Sequence, residues 1–136
     1  MKFLLDNLFY VALALASGGL AIWPLLRKRA GGPSLGTLAA TRLLNSRDVQ
    51  IVDVRSAAEF GSGTLRNARN IPLADVAAAA PGLPKDKPAL VVCESGRRAA
   101  LAAVKLRSAG ISEVFILDGG LDAWRAAGLP TSKLPA

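Results

Sequence analysis

The sequence predicts an α/β domain, built on a mainly parallel sheet covered on both faces and preceded by one transmembrane helix. Three observations carry this reading. From residue 34 onward, short apolar and β-branched runs alternate with stretches of helical spacing, the order expected of parallel strands joined by helical crossovers. Leu8–Leu26 holds no charge and is almost wholly apolar. At about 1.5 Å per residue it matches the thickness of a bilayer's hydrocarbon core. The 136 residues suffice for one domain with its own core beyond that segment.

Arg27-Lys28-Arg29 follows the apolar run at once. A Lys/Arg cluster marks the cytoplasmic flank, so the helix N-terminus is expected outside and the following domain in the cytoplasm. Tyr10 and Trp23 lie near the two ends, where an aromatic belt falls, and Pro24 sits in the last turn. Ala14-Leu15-Ala16 also fits the rule for signal-peptide cleavage. Against cleavage, the apolar run continues ten residues further and Lys2 is opposed by Asp6. An uncleaved anchor is the preferred reading, with a cleaved signal and a buried soluble helix as alternatives.

Residues 1–29 are thus expected to form the anchor with its basic flank, 30–33 (Ala30-Gly31-Gly32-Pro33) a linker, and 34–136 the globular domain. Residues 38–44 repeat at helical spacing, and 49–54 read as a strand. Ser56-Ala57-Ala58-Glu59 fits a capping box opening a short helix that stops before Gly61-Ser62-Gly63. Asn70-Ile71-Pro72-Leu73 reads as extended, 74–80 as an alanine-rich helix and 81–88 as a solvated loop. Ala89-Leu90-Val91-Val92 is a buried strand, 99–109 a helix closed by Gly110, and 114–117 a further strand. Asp118-Gly119-Gly120 turns into a last helix over 121–127, capped by Gly128 and stopped by Pro130.

The formal charge is +7, from 17 Lys/Arg and 10 Asp/Glu. Setting aside Lys2, Asp6 and the basic flank leaves 13 cations and nine anions in the domain, a mild excess. With no dense basic tract and no interleaved aromatics, nucleic-acid binding has no support. Anionic headgroups or a small anionic substrate explain the balance better. One cysteine and no histidine exclude an internal disulfide and leave no basis for a zinc site.

That cysteine, Cys93, closes the strand 89–92 and precedes Glu94-Ser95-Gly96-Arg97-Arg98. A lone cysteine after a strand is commonly a small core hydrophobe. Two arginines and a glycine within five residues, at a turn into a helix N-terminus, instead make an electropositive pocket that favours a thiolate and any anion brought to it. Such a nucleophile persists best in a reducing compartment, in keeping with the cytoplasmic orientation.

The spacing C-x-x-G-x-R of Cys93 to Arg98 resembles the active-site loop of the rhodanese (thiosulfate sulfurtransferase) family. Further motifs extend the resemblance. Asp53-Val54-Arg55 with Glu59-Phe60, Ala68-Arg69-Asn70-Ile71-Pro72, and Gly119-Gly120 with Trp124 and Ala127-Gly128-Leu129-Pro130 occur in family order. With the anchor added, the chain resembles the small membrane-tethered, single-domain rhodaneses of proteobacteria. The resemblance implies a rhodanese-like three-layer domain at the inner membrane, facing the cytoplasm. It also implies a sulfurtransferase that moves a sulfane sulfur from thiosulfate or a persulfide to a thiol, including a protein thiol, or to cyanide. Cys93 would be the nucleophile and the intermediate a Cys93 persulfide, with no metal or organic cofactor.

On the same resemblance, Glu94, Ser95, Gly96, Arg97 and Arg98 line the substrate, their backbone N–H groups forming a nest for the anionic sulfur. Arg98 would be the principal positive charge, Arg97 a solvent-facing steering group, and Ser95 a hydrogen-bond donor or a loop cap. Asp53, Arg55 and Glu59 are structural, Asp53 beneath the loop and Arg55 paired with Glu59. Two departures stand out. Gly63-Thr64-Leu65-Arg66-Asn67-Ala68 replaces the usual Gly-His-Ile-x-Gly-Ala, which tunes local packing. Glu94 puts a carboxylate beside the thiol, unfavourable to an anionic donor unless it faces solvent; Arg97 and Arg98 offset it in number. A phosphatase-type loop wants Cys-x5-Arg, and Ala99 stands at that spacing. The rival from another class is a non-catalytic, membrane-tethered binding module.

Overall fold

A computed structural model describes residues 1–30 and 32–132; of 27–30 only the backbone is described, so the basic side chains of the flank lie outside the described residues. The chain divides into two units, Met1–Ala30 and Gly31–Ala136.

In the first unit a short helix α1 (Lys2–Asp6) is followed by α2 (Leu8–Ala30). Leu8–Leu26 is long and apolar enough to cross a membrane, and none of it is buried within the chain. Leu8, Leu13, Leu15, Leu20 and Ile22 all stand exposed, an arrangement that water opposes at about 25 cal/mol per Å² and hydrocarbon does not. The Ser17 hydroxyl donates to the Leu13 carbonyl at 2.6 Å, so the one hydroxyl of the central turns is satisfied within the helix.

The second unit carries strands β1 (Ser34–Leu35), β2 (Gln50–Asp53), β3 (Ala68–Asn70), β4 (Ala89–Val92) and β5 (Val114–Leu117). They form one sheet in the order β1-β5-β4-β2-β3, with every ladder parallel. Helices α3 (Thr37–Ser46), α4 (Ala57–Ser62), α5 (Val76–Ala79), α6 (Arg97–Ser108) and α7 (Gly120–Ala126) connect or follow the strands. The parallel sheet and helical layers expected from the alternating pattern are therefore present.

β4 is the central strand, buried at every position. Because side chains alternate along a strand, its residues split between two cores. Ala89 and Val91 join Cys93 in the core beneath α5 and α6, with Val76, Ala99, Ala102, Ala103 and Leu106. Leu90 and Val92 point into the core beneath α3 and α7, with Ala40, Leu121 and Trp124. The buried positions 99, 102, 103 and 106 of α6 follow the i, i+3, i+4, i+7 pattern, and three of them are alanine, which lets the helix lie close to the sheet.

Several boundaries differ from expectation. The sequence gives no signal for β1, a two-residue edge strand pairing Ser34 with Ile116 and Leu35 with Leu117. α6 begins at Arg97, two residues earlier than expected, because Gly96 adopts a left-handed conformation (φ +99°) that turns the chain directly into the helix. The segment expected as one helix over 74–80 is α5 flanked by 3-10 turns at Leu73–Asp75 and Ala80–Gly82. α4 runs through Ser62 and stops at Gly63, and its start is the expected capping box between Ser56 and Glu59.

Candidate active site

β4 carries Cys93 just past its carboxyl end, and Gly96 then folds the chain back so that the first turn of α6 meets the sulfur. Backbone N–H groups of Gly96 and Ala99 donate to Cys93 Sγ at 2.9 and 3.4 Å. Two N–H dipoles at the start of a twelve-residue helix stabilise negative charge on that sulfur. Cys93 itself is fully buried. Ala99 escaped the sequence reading because the helix was expected to start there; a start at Arg97 makes it the donor of the first turn.

The remaining loop residues divide by their partners. Ser95 and Arg97 are exposed. Glu94 does not face solvent alone: its carboxylate accepts from Arg55 Nη1 at 3.1 Å and from Arg125 Nη1 at 2.6 Å. Burial pushes the Glu94 carboxyl up, and the hydrogen bonds it accepts from Arg125 and Arg55, with the charge of Arg125, outweigh it, leaving the group below the usual carboxylate range. Arg55 and Arg125, not Arg97 and Arg98, thus offset Glu94. Arg98 is held by Glu59 through a two-pronged ion pair, Nη1 to Oε1 at 2.8 Å and Nη2 to Oε2 at 3.0 Å. Its hydrogen bond to Glu59 raises the Arg98 pKa further, and the same bond pulls Glu59 down to about 2.

The expected pairing of Arg55 with Glu59 is absent, and both residues are engaged elsewhere. Arg55 is buried and turns inward onto Asp53, which is also buried. Its Nε and Nη2 bond the Asp53 carboxylate at 3.1 and 2.8 Å, and Nη2 also donates to the Gly63 carbonyl at 2.6 Å. The Thr64 hydroxyl completes the carboxylate's shell at 2.7 Å. In extended backbone, residues i and i+2 share a face, so Asp53 is the near partner and Glu59, a helix turn away, is not. This network meets the loop through Arg55, whose Nη1 reaches the Glu94 carboxylate.

α7 backs the loop from the other side. The N–H groups of Leu121 and Asp122 donate to the carbonyls of Cys93 and Glu94 at 2.8 and 3.0 Å. Gly120, at φ +61°, lies so close that an added Cβ would sit 2.6 Å from the Glu94 carbonyl carbon. The paired glycines 119 and 120 therefore serve both the left-handed turn and the approach of α7 to the loop backbone. Trp124 packs α7 down and donates its Nε1–H to the Pro130 carbonyl at 2.9 Å.

The chain is similar to known proteins in sequence and in fold. The family described as Rhodanese-like domain matches residues 38–127. A sulfurtransferase of Allochromatium vinosum is 35% identical over 89 residues, 65% of this chain and 83% of that one. The thiosulfate sulfurtransferase GlpE of Pseudomonas putida (strain GB-1) is 37% identical over 87 residues, 64% of this chain and 79% of that one. Among solved structures, a rhodanese-related protein from Thermoplasma volcanium superposes with a TM-score of 0.67 at 26% identity, covering 75% of this chain and 99% of its own. The family match runs from α3 through α7 and takes in the cysteine turn and both of its supports: this chain belongs to the rhodanese-like domain family.

Proposed function

We propose that this chain is a membrane-anchored sulfurtransferase working through a Cys93 persulfide. The observation that carries the reading is the pair of N–H donors, from Gly96 and Ala99, aimed at a thiol sulfur at the head of α6. The Cys93 thiolate attacks the outer sulfur of thiosulfate; the S–S bond breaks, sulfite leaves with its electron pair, and an enzyme persulfide remains. Cyanide or a thiol, including a protein thiol, then attacks the terminal sulfur and returns Cys93 as thiolate. With a persulfide donor the leaving group is a thiolate in place of sulfite. The loop from Glu94 to Arg98 receives the donor, with Gly96 and Ala99 holding charge on the sulfur. Neither half-reaction as written uses a metal or organic cofactor.

In this proposal residues 1–29 are the anchor, 30–33 the linker and 34–136 the catalytic domain. The apolar run of α2 followed by Arg27-Lys28-Arg29 supports a single pass through the bacterial inner membrane, with the domain in the cytoplasm. One observation favours a second reading: the complete burial of Cys93 suits a tethered binding module in which the thiol is a core side chain. The two separate in one experiment. Full-length protein in detergent is given thiosulfate and then cyanide, beside Cys93→Ser, with intact mass recorded after the first step. Thiocyanate formation and a single-sulfur adduct, both lost in the variant, establish the enzyme. Folded protein with neither product leaves the binding module.

A further inference from the structure

Arg98 is the cationic side chain next in sequence to Ala99, whose N–H holds the Cys93 sulfur, yet its charge is already engaged. Glu59 reaches it from α4, and both α4 and α6 begin beyond the carboxyl ends of the adjacent strands β2 and β4. The pair is fork to fork at 2.8 and 3.0 Å, and each side chain is a little over one-third exposed, so solvent and a charged ligand both reach it. Glu59 is also fixed from behind: its Oε1 accepts from the Ser56 hydroxyl at 3.1 Å and from the Ser56 N–H at 3.3 Å. Glu94, the other carboxylate of the site, is met by both Arg55 and Arg125. Glu59 is answered by Arg98 alone among the described ion pairs, so any donor that draws on Arg98 competes with it.

We propose that Glu59 is a specificity-determining residue: as an internal counter-anion on Arg98, it makes the Cys93 site favour singly charged sulfane donors over doubly charged ones. The inference rests on the sulfurtransferase reading and deepens it. A donor anion near Arg98 gains attraction from the guanidinium and repulsion from the carboxylate. Both scale with donor charge, so removing the carboxylate alone helps a dianion about twice as much, in free energy, as a monoanion. The charge can be removed with little disturbance, because Gln at the third helical position also closes a capping box and still accepts from Arg98.

The test uses full-length protein in detergent and two donors that leave the same Cys93 persulfide. Thiosulfate, a dianion, releases sulfite; methanethiosulfonate, a monoanion, releases methanesulfinate; cyanide takes the sulfur in both cases. In Glu59→Gln the kcat/KM for thiosulfate relative to methanethiosulfonate is expected to rise about three- to fivefold, as for loss of one partly exposed charge contact. The cyanide half-reaction is common to both donors and cancels from the ratio. Arg98→Gln, which leaves the carboxylate bare, should move the same ratio down. A role confined to folding would lower both donors together and leave their ratio fixed. An unchanged or falling ratio in Glu59→Gln, with sulfur transfer still measurable, overturns this inference and spares the sulfurtransferase reading. Folded wild-type protein that takes sulfur from neither donor overturns both.

Discussion

Arg55 grips the Asp53 carboxylate with its backbone N–H, Nε and Nη2, all at 2.8–3.1 Å, and both residues are shielded from solvent. Burial opposes the Arg55 charge, and the carboxylates of Asp53 and Glu94 more than restore it, raising its pKa. Taking one partner away strands the other charge in the interior. Arg55→Met should therefore lose about 3–5 kcal/mol of stability by urea unfolding. The double variant Arg55→Met with Asp53→Leu should recover part of that loss. A single variant within about 1 kcal/mol of wild type would show that the pair carries little.

Gly120 tests the support from α7. In Gly120→Ala the new methyl meets the Cys93 and Glu94 carbonyls inside van der Waals contact, so helix and loop must part. A displacement near 1 Å at the reacting atom is worth about 100-fold in rate, and sulfur transfer should fall by about that factor. Gly128→Ala is the control: it shares the left-handed backbone, at φ +73°, but nothing lies within 4 Å of the added carbon. It should lose about 1 kcal/mol to backbone strain and keep its activity. Equal loss of activity in both variants would remove the loop contact as the cause.

The Glu59–Arg98 pair also has a pH signature. The hydrogen bond from Arg98 pulls the Glu59 carboxyl from its ordinary 4.5 to about 2 in the folded chain. Folding thus favours the ionised form. The contribution is complete above about pH 4.5 and disappears as pH falls through about 2. The Tm difference between wild type and Glu59→Gln should be constant from pH 7 to 5, shrink below 4.5, and vanish near 2. Its size is set by solvent screening at about 1 kcal/mol or less. A difference that persists at pH 2 would assign the effect to packing.

The anchor reading has a direct check at the first helix. Leu15→Arg places a charge near the middle of Leu8–Leu26, which lowers membrane insertion by about 2.5–3.5 kcal/mol. The variant should move from the alkali-resistant membrane fraction toward the soluble one. Intact mass of the wild-type chain from membranes should include residues 1–16; a mass starting after Ala16 would identify a cleaved signal and end the anchor proposal.

The sheet strands beside Cys93 were legible because their burial is continuous. Ala89–Val92 and Val114–Leu117 appear with the bounds their apolar runs suggest, since nothing polar blurs their ends. β1 was not, because two residues at a sheet edge carry no period. The capping box was legible because it is local, fixed by the spacing of Ser56 and Glu59. The partners of Glu94 and Glu59 were not, because Arg125 and Arg98 arrive from helices far along the chain. Sequence proximity placed Arg97 and Arg98 against Glu94, and the family resemblance placed Arg55 against Glu59; in the fold Arg55 meets Glu94 and Arg98 meets Glu59. Motif order located the cysteine turn, while its electrostatics depended on which helices the sheet brings together.

The backing of the loop by α7 has a consequence for how the chain becomes competent during synthesis. The strand that presents Cys93 and most of α6 leave the ribosome before Leu121 and Asp122, whose N–H groups bind the carbonyls of Cys93 and Glu94. Until translation has passed Trp124 and the last described helix has docked, the turn has the N–H groups of Gly96 and Ala99 but not the contacts of α7 with its carbonyls. Domains fold as units behind the ribosome, so nascent chains stalled before α7 carry Cys93 but not its finished turn. Docking of α7 is the step that completes the backbone setting of the cysteine turn.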